Sequence, residues 1–126
     1  LCEAGDISEE IRLSGYYIGE GSNIWMAHRL RVVDQNRNVF ATEKEAKSAR
    51  AAAMISQLMP YYGGAITYDE WEDGSKDKYV LDRVKNKVNE GTLYGAYCLL
   101  AFHTKKYRDE FLKNNEQLVK DYLMID

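Results

Sequence analysis

Two stretches of this chain, Tyr17 to Phe40 and Tyr79 to Phe102, have the same length and the same ending. Each closes on Phe-x-Thr, as Phe40-Ala41-Thr42 and Phe102-His103-Thr104. Each Thr stands before an amphipathic run with a Gln-Leu pair near its end, Gln57-Leu58 and Gln117-Leu118. A Thr in that place caps a helix by accepting a hydrogen bond from an N–H of the first turn. The residues before each Phe alternate with the period of strands. The pattern implies a duplicated β-β-α unit and an α+β fold. The expected architecture is an antiparallel sheet built from two repeated units, with both helices on one face. It divides as a single domain over 1–126, with repeat units at about 15–59 and 77–123 and a linker at 60–76.

In the first half, Ile7 and Ile11 stand four apart behind Asp6 and Ser8, which suggests a short helix before Leu13. Tyr16-Tyr17-Ile18 reads as a strand, and Gly19-Glu20-Gly21 as a hairpin turn. It lacks the spacing of a phosphate-binding loop. Over Ile24–Val33 the alternation puts Ile24, Met26, His28, Leu30 and Val32 toward a core, with Trp25, Ala27, Arg29, Arg31 and Val33 opposite. Asp34–Asn38 is a turn cluster, and Val39-Phe40 a short return. Thr42 with Glu45 forms a capping box, and the helix it opens ends near Met59, before Pro60 and Gly63-Gly64. That helix is apolar on two sides. Met54, Ile55, Leu58 and Met59 form the wide face, and Ala46, Ala49 and Ala53 a smooth one that suits an interface with the second helix or another subunit.

In the second half, Asp69, Glu70, Glu72 and Asp73 surround Trp71. The spacing fits no EF-hand loop, and a solvated turn anchored by a buried Trp is the expectation. Tyr79–Val88 and Leu93–Phe102 read as a hairpin around Asn89-Glu90-Gly91-Thr92. A helix over 78–88 is the alternative, since Val80, Leu81, Val84 and Val88 also fit a helical stripe. Leu93–Phe102 is apolar on both faces, which suits a central strand with Cys98 as a buried, inert hydrophobe. One helix is expected from Thr104 to about Tyr122.

At these residues the chain resembles a set of small uncharacterised proteins of gut bacterial phages and prophages. The shared features are a Tyr-led strand after a Trp-containing turn (Trp71 to Tyr79), the aromatic-x-Thr helix start at Phe102-His103-Thr104, and a terminal helix like Asn115–Leu123. The resemblance spans roughly Phe40 to Ile125. It implies a mobile-element origin and carries over no functional residue.

The composition narrows function mainly by exclusion. Seventeen basic against twenty acidic residues give a net charge of −3, which disfavours a general nucleic-acid binder. The two cysteines have neither ligand spacing nor a disulfide framework, so a cytoplasmic setting is the default, and nothing suggests a membrane partner. The two histidines lie on different repeats without metal-ligand spacing, and no catalytic, cofactor or metal residue is assigned. The leading expectation is a non-enzymatic protein-interaction or structural module of phage or mobile-element origin, binding a protein partner or itself. The alternative is nucleic-acid contact by a sheet face, with Arg29, Arg31, Arg83, Lys85 and Lys87 on phosphates and tyrosines stacking on bases. An enzyme is the third reading, with His28 and His103 as proton-transfer candidates. His103, Thr104, Lys105 and Lys106 form a candidate anion or partner site, because lysines in a first helical turn oppose the helix dipole.

Overall fold

The computed structural model describes residues 12–31, 39–93 and 97–126. Main-chain contacts divide the chain between Arg50 and Ala51 into two compact units. The boundary falls inside a helix rather than in the 60–76 stretch.

Unit one opens with β1 (Arg12–Ile18), a 3₁₀ turn over Glu20–Ser22, and β2 (Ile24–Arg31). The two strands are antiparallel, with Tyr16 opposite Met26 and Ile18 opposite Ile24. The short β3 (Val39–Phe40) joins the other side of β1, with Tyr16 opposite Phe40, so the order is β2-β1-β3. Strand β1 extends N-terminally past Tyr16 through Gly15 to Arg12, with its register on β2 shifted between Leu13 and Gly15. A Cβ at Gly15 would lie 2.0 Å from the carbonyl oxygen of Phe40, so this approach needs glycine. The outward residues of β2 also differ from expectation. Met26 is 80% exposed and does not face a core. The proposed helix before Leu13, Val32-Val33 and the turn at Asp34–Asn38 lie outside the described residues, apart from Arg12 and Leu13, which belong to β1.

Helix α1 (Glu43–Leu58) opens on the Thr42 cap, with Glu45 returning to the Thr42 hydroxyl. The Glu45 N–H donates to Thr42 Oγ1 at 3.1 Å, and that hydroxyl donates to Glu45 Oε1 at 2.9 Å. Arg50 returns to the hairpin turn, where its Nη1 donates to the Ser22 carbonyl at 3.1 Å. The buried positions of this stretch are Ala46, Ala51, Ile55 and then Met59, a stripe that mixes the two faces read from the sequence. Ala49 is half-buried and Ala53 exposed.

Unit two is α+β in its own right. After a 3₁₀ turn (Met59–Tyr62) and left-handed Gly63 come α2 (Tyr68–Glu72), β4 (Lys78–Val84), β5 (Lys87–Leu93) and β6 (Ala101–Phe102). The chain ends in α3 (Lys105–Asn114) and α4 (Glu116–Tyr122). The fold class is thus α+β, but the single sheet becomes two three-stranded antiparallel sheets, the second ordered β5-β4-β6.

Three local expectations are corrected here. The hairpin turns at Lys85-Asn86, with Val84 opposite Lys87 and Lys85 at φ 56°, not at Asn89–Thr92. Gly91 instead lies inside β5, opposite Val80. The central strand is therefore β4, flanked by β5 and β6, whereas among its described residues the 93–102 stretch supplies the last residue of β5 and the two-residue β6. The strand reading of Lys78–Val84 holds against the helical one. The final helix is two helices, broken at Asn115 (φ −135°, ψ 37°), whose side chain donates to the Phe111 carbonyl and to the Tyr62 hydroxyl, each at 3.2 Å. An Asn side chain that bonds nearby backbone competes with helix continuation.

The core of unit two gathers Ile55, Met59, Leu81, Leu100, Phe102, Phe111 and Val119. Helix α3 packs on β4 and β6. The Phe111 ring lies 5.2 Å from Phe102 and edge-on to Tyr62 at 4.9 Å. Two buried cations belong to this framework. Arg108 donates to the Gly91 carbonyl at 3.0 Å and pairs with Asp109 at 3.0 Å and Glu90 at 3.4 Å. Lys78 Nζ donates to the Asp73 carbonyl at 2.6 Å. No described helix is long and apolar enough to cross a membrane.

Candidate functional site

The acidic stretch around Trp71 is a short helix rather than an open turn, and its own sequence explains why. Thr67-Tyr68-Asp69-Glu70 is a capping box: the Glu70 N–H donates to Thr67 Oγ1 at 3.3 Å, and Thr67 N–H donates back to Glu70 Oε1 at 3.1 Å. The Thr67 hydroxyl gives Oε1 a second donor at 2.9 Å. The other oxygen, Oε2, accepts from His103 Nε2 at 2.9 Å. With its Thr67 donors first and His103 beside them, the Glu70 carboxyl is held down to about 2. This contact ties α2 to the residue between β6 and α3.

Glu70 and His103 form part of the wall of an open cleft of about 390 Å³ that also includes Ile66, Lys76, Asp77 and Tyr79. A second, more apolar pocket of about 100 Å³ shares Ile66 and is lined by Met59, Ala65, Trp71, Tyr97 and Cys98, among others. Trp71 is held between two neighbours. The Tyr97 ring centroid is 5.7 Å away at a 52° tilt, and the Lys78 ammonium is 5.8 Å from the indole centroid. Tyr97 itself is 77% exposed and Tyr68 is 75% exposed. Cys98 is half-buried, not fully enclosed. Burial raises its thiol pKa, and its Sγ points at the Leu81 carbonyl at 3.9 Å.

The residues singled out from the sequence are distributed otherwise. His103 is engaged by a carboxylate of its own chain. Thr104 Oγ1 accepts from the Tyr107 N–H at 3.1 Å as the cap of α3. Lys105 is exposed, and Lys106 lies 4.0 Å from Glu110, one turn on. In the basic set, Arg83 is spent on structure. Its Nε donates to the Lys85 carbonyl at 2.6 Å and its Nη1 to the carbonyls of Leu123 and Met124 at 3.2 and 3.1 Å. Lys85 occupies the hairpin turn and Lys87 the start of β5, so the three do not continue one strand face. The side chains of His28, Arg29 and Arg31 lie outside the described residues.

The sequence reading passed over Lys78, Tyr97 and Arg108, and it took Glu70 for a solvated acid and Trp71 for a buried anchor, whereas Glu70 is paired with His103 and Trp71 is half-buried. A signal existed for Glu70, because Thr-x-x-Glu before an aromatic is the capping box itself. None existed for Arg108, whose contact with Gly91 is distant in sequence, or for Lys78, which turns back onto the Asp73 carbonyl.

The Glu70–His103 pair has the carboxylate–imidazole geometry that orients a catalytic base. The Nδ1 edge of the ring lies against Gly63, where a Cβ would come within 3.6 Å. Among the described residues, no Ser, Thr or Cys is bonded to the imidazole, and no cluster of three His, Cys, Asp or Glu side chains is placed to hold a metal ion. Comparison of the chain with family models, curated proteins and solved structures gives no match.

Proposed function

We propose that unit two is a non-enzymatic protein-binding module whose contact surface is the face carrying α2 and Tyr97. One observation carries this reading. Tyr68 and Tyr97 stand largely in solvent, Tyr97 with its ring centroid 5.7 Å from that of Trp71, in a unit whose core is already filled without them. Tyr and Trp supply large contact area at low entropic cost, and they are enriched where partners dock. The acidic balance of the chain and the structural use of Arg83 weigh against the nucleic-acid alternative. The resemblance to phage and prophage proteins makes an infected bacterial lysate the natural place to look.

The test compares the wild-type chain with the double variant Tyr68→Ser, Tyr97→Ser, after circular dichroism and melting show both fold alike. Proteins retained by the wild type and lost by the variant, identified by mass spectrometry, are the expected result. Identical captures would reject this surface as the contact face.

A further inference from the structure

Among the described residues, β5 ends its sheet and has β4 as its one neighbour, in an unbroken register from Lys78–Leu93 to Val84–Lys87. The two-residue turn makes Val84 and Lys87 a hydrogen-bonded pair. The Leu81 N–H on β4 points the other way, to the Leu100 carbonyl at 2.9 Å. The backbone groups of Asn89 and Gly91 therefore face β4, and those of Val88, Glu90 and Thr92 face outward. Such an edge is often blunted by a proline, a bulge or a lysine. Residues 88–92 contain none of these, and Glu90 and Thr92 are exposed.

Helix residues four apart follow the strand on one face. Arg108 reaches Gly91 and Glu90, while Leu112 and Glu116 line a pocket of about 230 Å³ with Val88, Lys87 and Ile125. Strand β4 contributes nothing to that lining, which places the pocket on the outward flank of β5. A residue added opposite Val88 shares its face and directs its side chain to this pocket. The next outward residue is Glu90. Arg108 is divided between Glu90 at 3.4 Å and Asp109 at 3.0 Å, so the trio keeps a negative charge that favours a cation opposite Glu90. A second copy fits poorly. The symmetric antiparallel register that pairs all three outward residues sets Glu90 against Glu90 and offers Thr92 to the pocket.

We propose that the β5 edge binds an extended segment of a partner protein by strand addition, with Lys or Arg two residues before an apolar side chain. Main-chain bonds to Val88, Glu90 and Thr92 hold the segment antiparallel, as the other strands of this sheet are held. The apolar side chain enters the pocket by Val88, and the cation meets Glu90. This site shares no residue with the Tyr68 and Tyr97 face and is tested separately from it.

The test uses the full chain and a fluorescein-labelled peptide, Thr-Thr-Lys-Thr-Leu-Thr-Thr, read by anisotropy. It should bind, and replacing its Leu by Ser or its Lys by Glu should each weaken binding about tenfold. N-methylation of its Lys and Leu, whose N–H groups face β5, should abolish binding, whereas N-methylation of the Thr residues on either side of Leu should be tolerated. Thr92→Pro removes an outward donor without breaking the β4 ladder and should weaken binding about tenfold, once circular dichroism shows the fold retained. No binding, or equal losses from the two methylation patterns, overturns the proposal even if Thr92→Pro fails to fold. So does a chain that sediments as a dimer dissociated by Thr92→Pro, since a second copy would then hold the edge. The captures by the Tyr68→Ser, Tyr97→Ser variant report on the other face alone.

Discussion

The two units share a strand plan and differ in what fills it. In each, the first hairpin strand is central, its hairpin partner lies on one side, and a two-residue strand ending in Phe lies on the other. Phe40 pairs with Tyr16 and Phe102 with Tyr79, and a Thr two residues later begins the next helix in both. Yet Phe40 is half-buried, whereas Phe102 is fully buried. The helices account for the difference. Four residues after the Thr, both bury a side chain, Ala46 in one and Arg108 in the other. Seven residues after it stand half-buried Ala49 and fully buried Phe111. In unit two the residue at that place, Phe111, packs its ring on Phe102 with centroids 5.2 Å apart. Topology is therefore set by strand pairing and caps, while burial is set by the size of a few helix residues.

The largest expected effect tests that statement directly. Phe102→Ala should destabilise unit two by about 3–5 kcal/mol, as for other buried aromatics. Phe40→Ala should cost clearly less, because its ring is only partly removed from water. The two tryptophans separate the readouts, since Trp25 lies in unit one and Trp71 in unit two. Chemical denaturation of single-tryptophan variants measures each. Equal losses from the two Phe changes would break the comparison.

Arg108 comes next. Its guanidinium is 5% exposed, satisfies the Gly91 carbonyl and lies 5.9 Å from the Tyr79 ring. Arg108→Ala leaves that carbonyl short of a donor and should cost ~1–3 kcal/mol by the Trp71 signal. A change within a few tenths would mean that water replaces the side chain, and that the position is no more demanding than Ala46.

What was legible in the sequence follows the same division. The helix starts at Thr42 and Thr104 could be read because a cap is a local event with a side-chain signature. The strand at Lys78–Val84 was readable from its Val and Tyr content, and the α+β class from the two periods together. The turn was not. It uses Lys85 at positive φ, a conformation the sequence does not advertise, while Gly91 drew the turn to the wrong place. That misplacement made 93–102 look like the central strand. The break at Asn115 and the buried Arg108 were hidden because they depend on partners far along the chain, Tyr62 and Gly91, and the buried Lys78 because no local pattern marks a lysine that turns back onto the Asp73 carbonyl. At the candidate site, His103 was visible as an unusual neighbour of a cap, but Glu70, its partner, lies thirty-three residues away and was read as one solvated acid among several.

The smallest effect concerns that pair, and it distinguishes the capping box of unit two from that of unit one. The Glu45 carboxylate takes the Thr42 hydroxyl, whereas Glu70 takes two donors from Thr67 and the His103 imidazole as well. The Glu70 pKa falls from 4.5 to about 2 in the folded chain. A group depressed in this way contributes stability that is complete above its unfolded value and is lost as the pH falls toward its folded one. Between about pH 5 and 2, unit two should therefore lose stability through Glu70 as pH drops. Glu70→Gln should remove that part of the acid limb and lower stability modestly at neutral pH, with Trp71 fluorescence following the transition. His103→Gln should shift the limb in the same direction by a smaller amount, since the Thr67 donors remain. An acid limb unchanged by Glu70→Gln would show that the three donors do not hold the carboxylate in solution, and the tie between α2 and the start of α3 would lose its support.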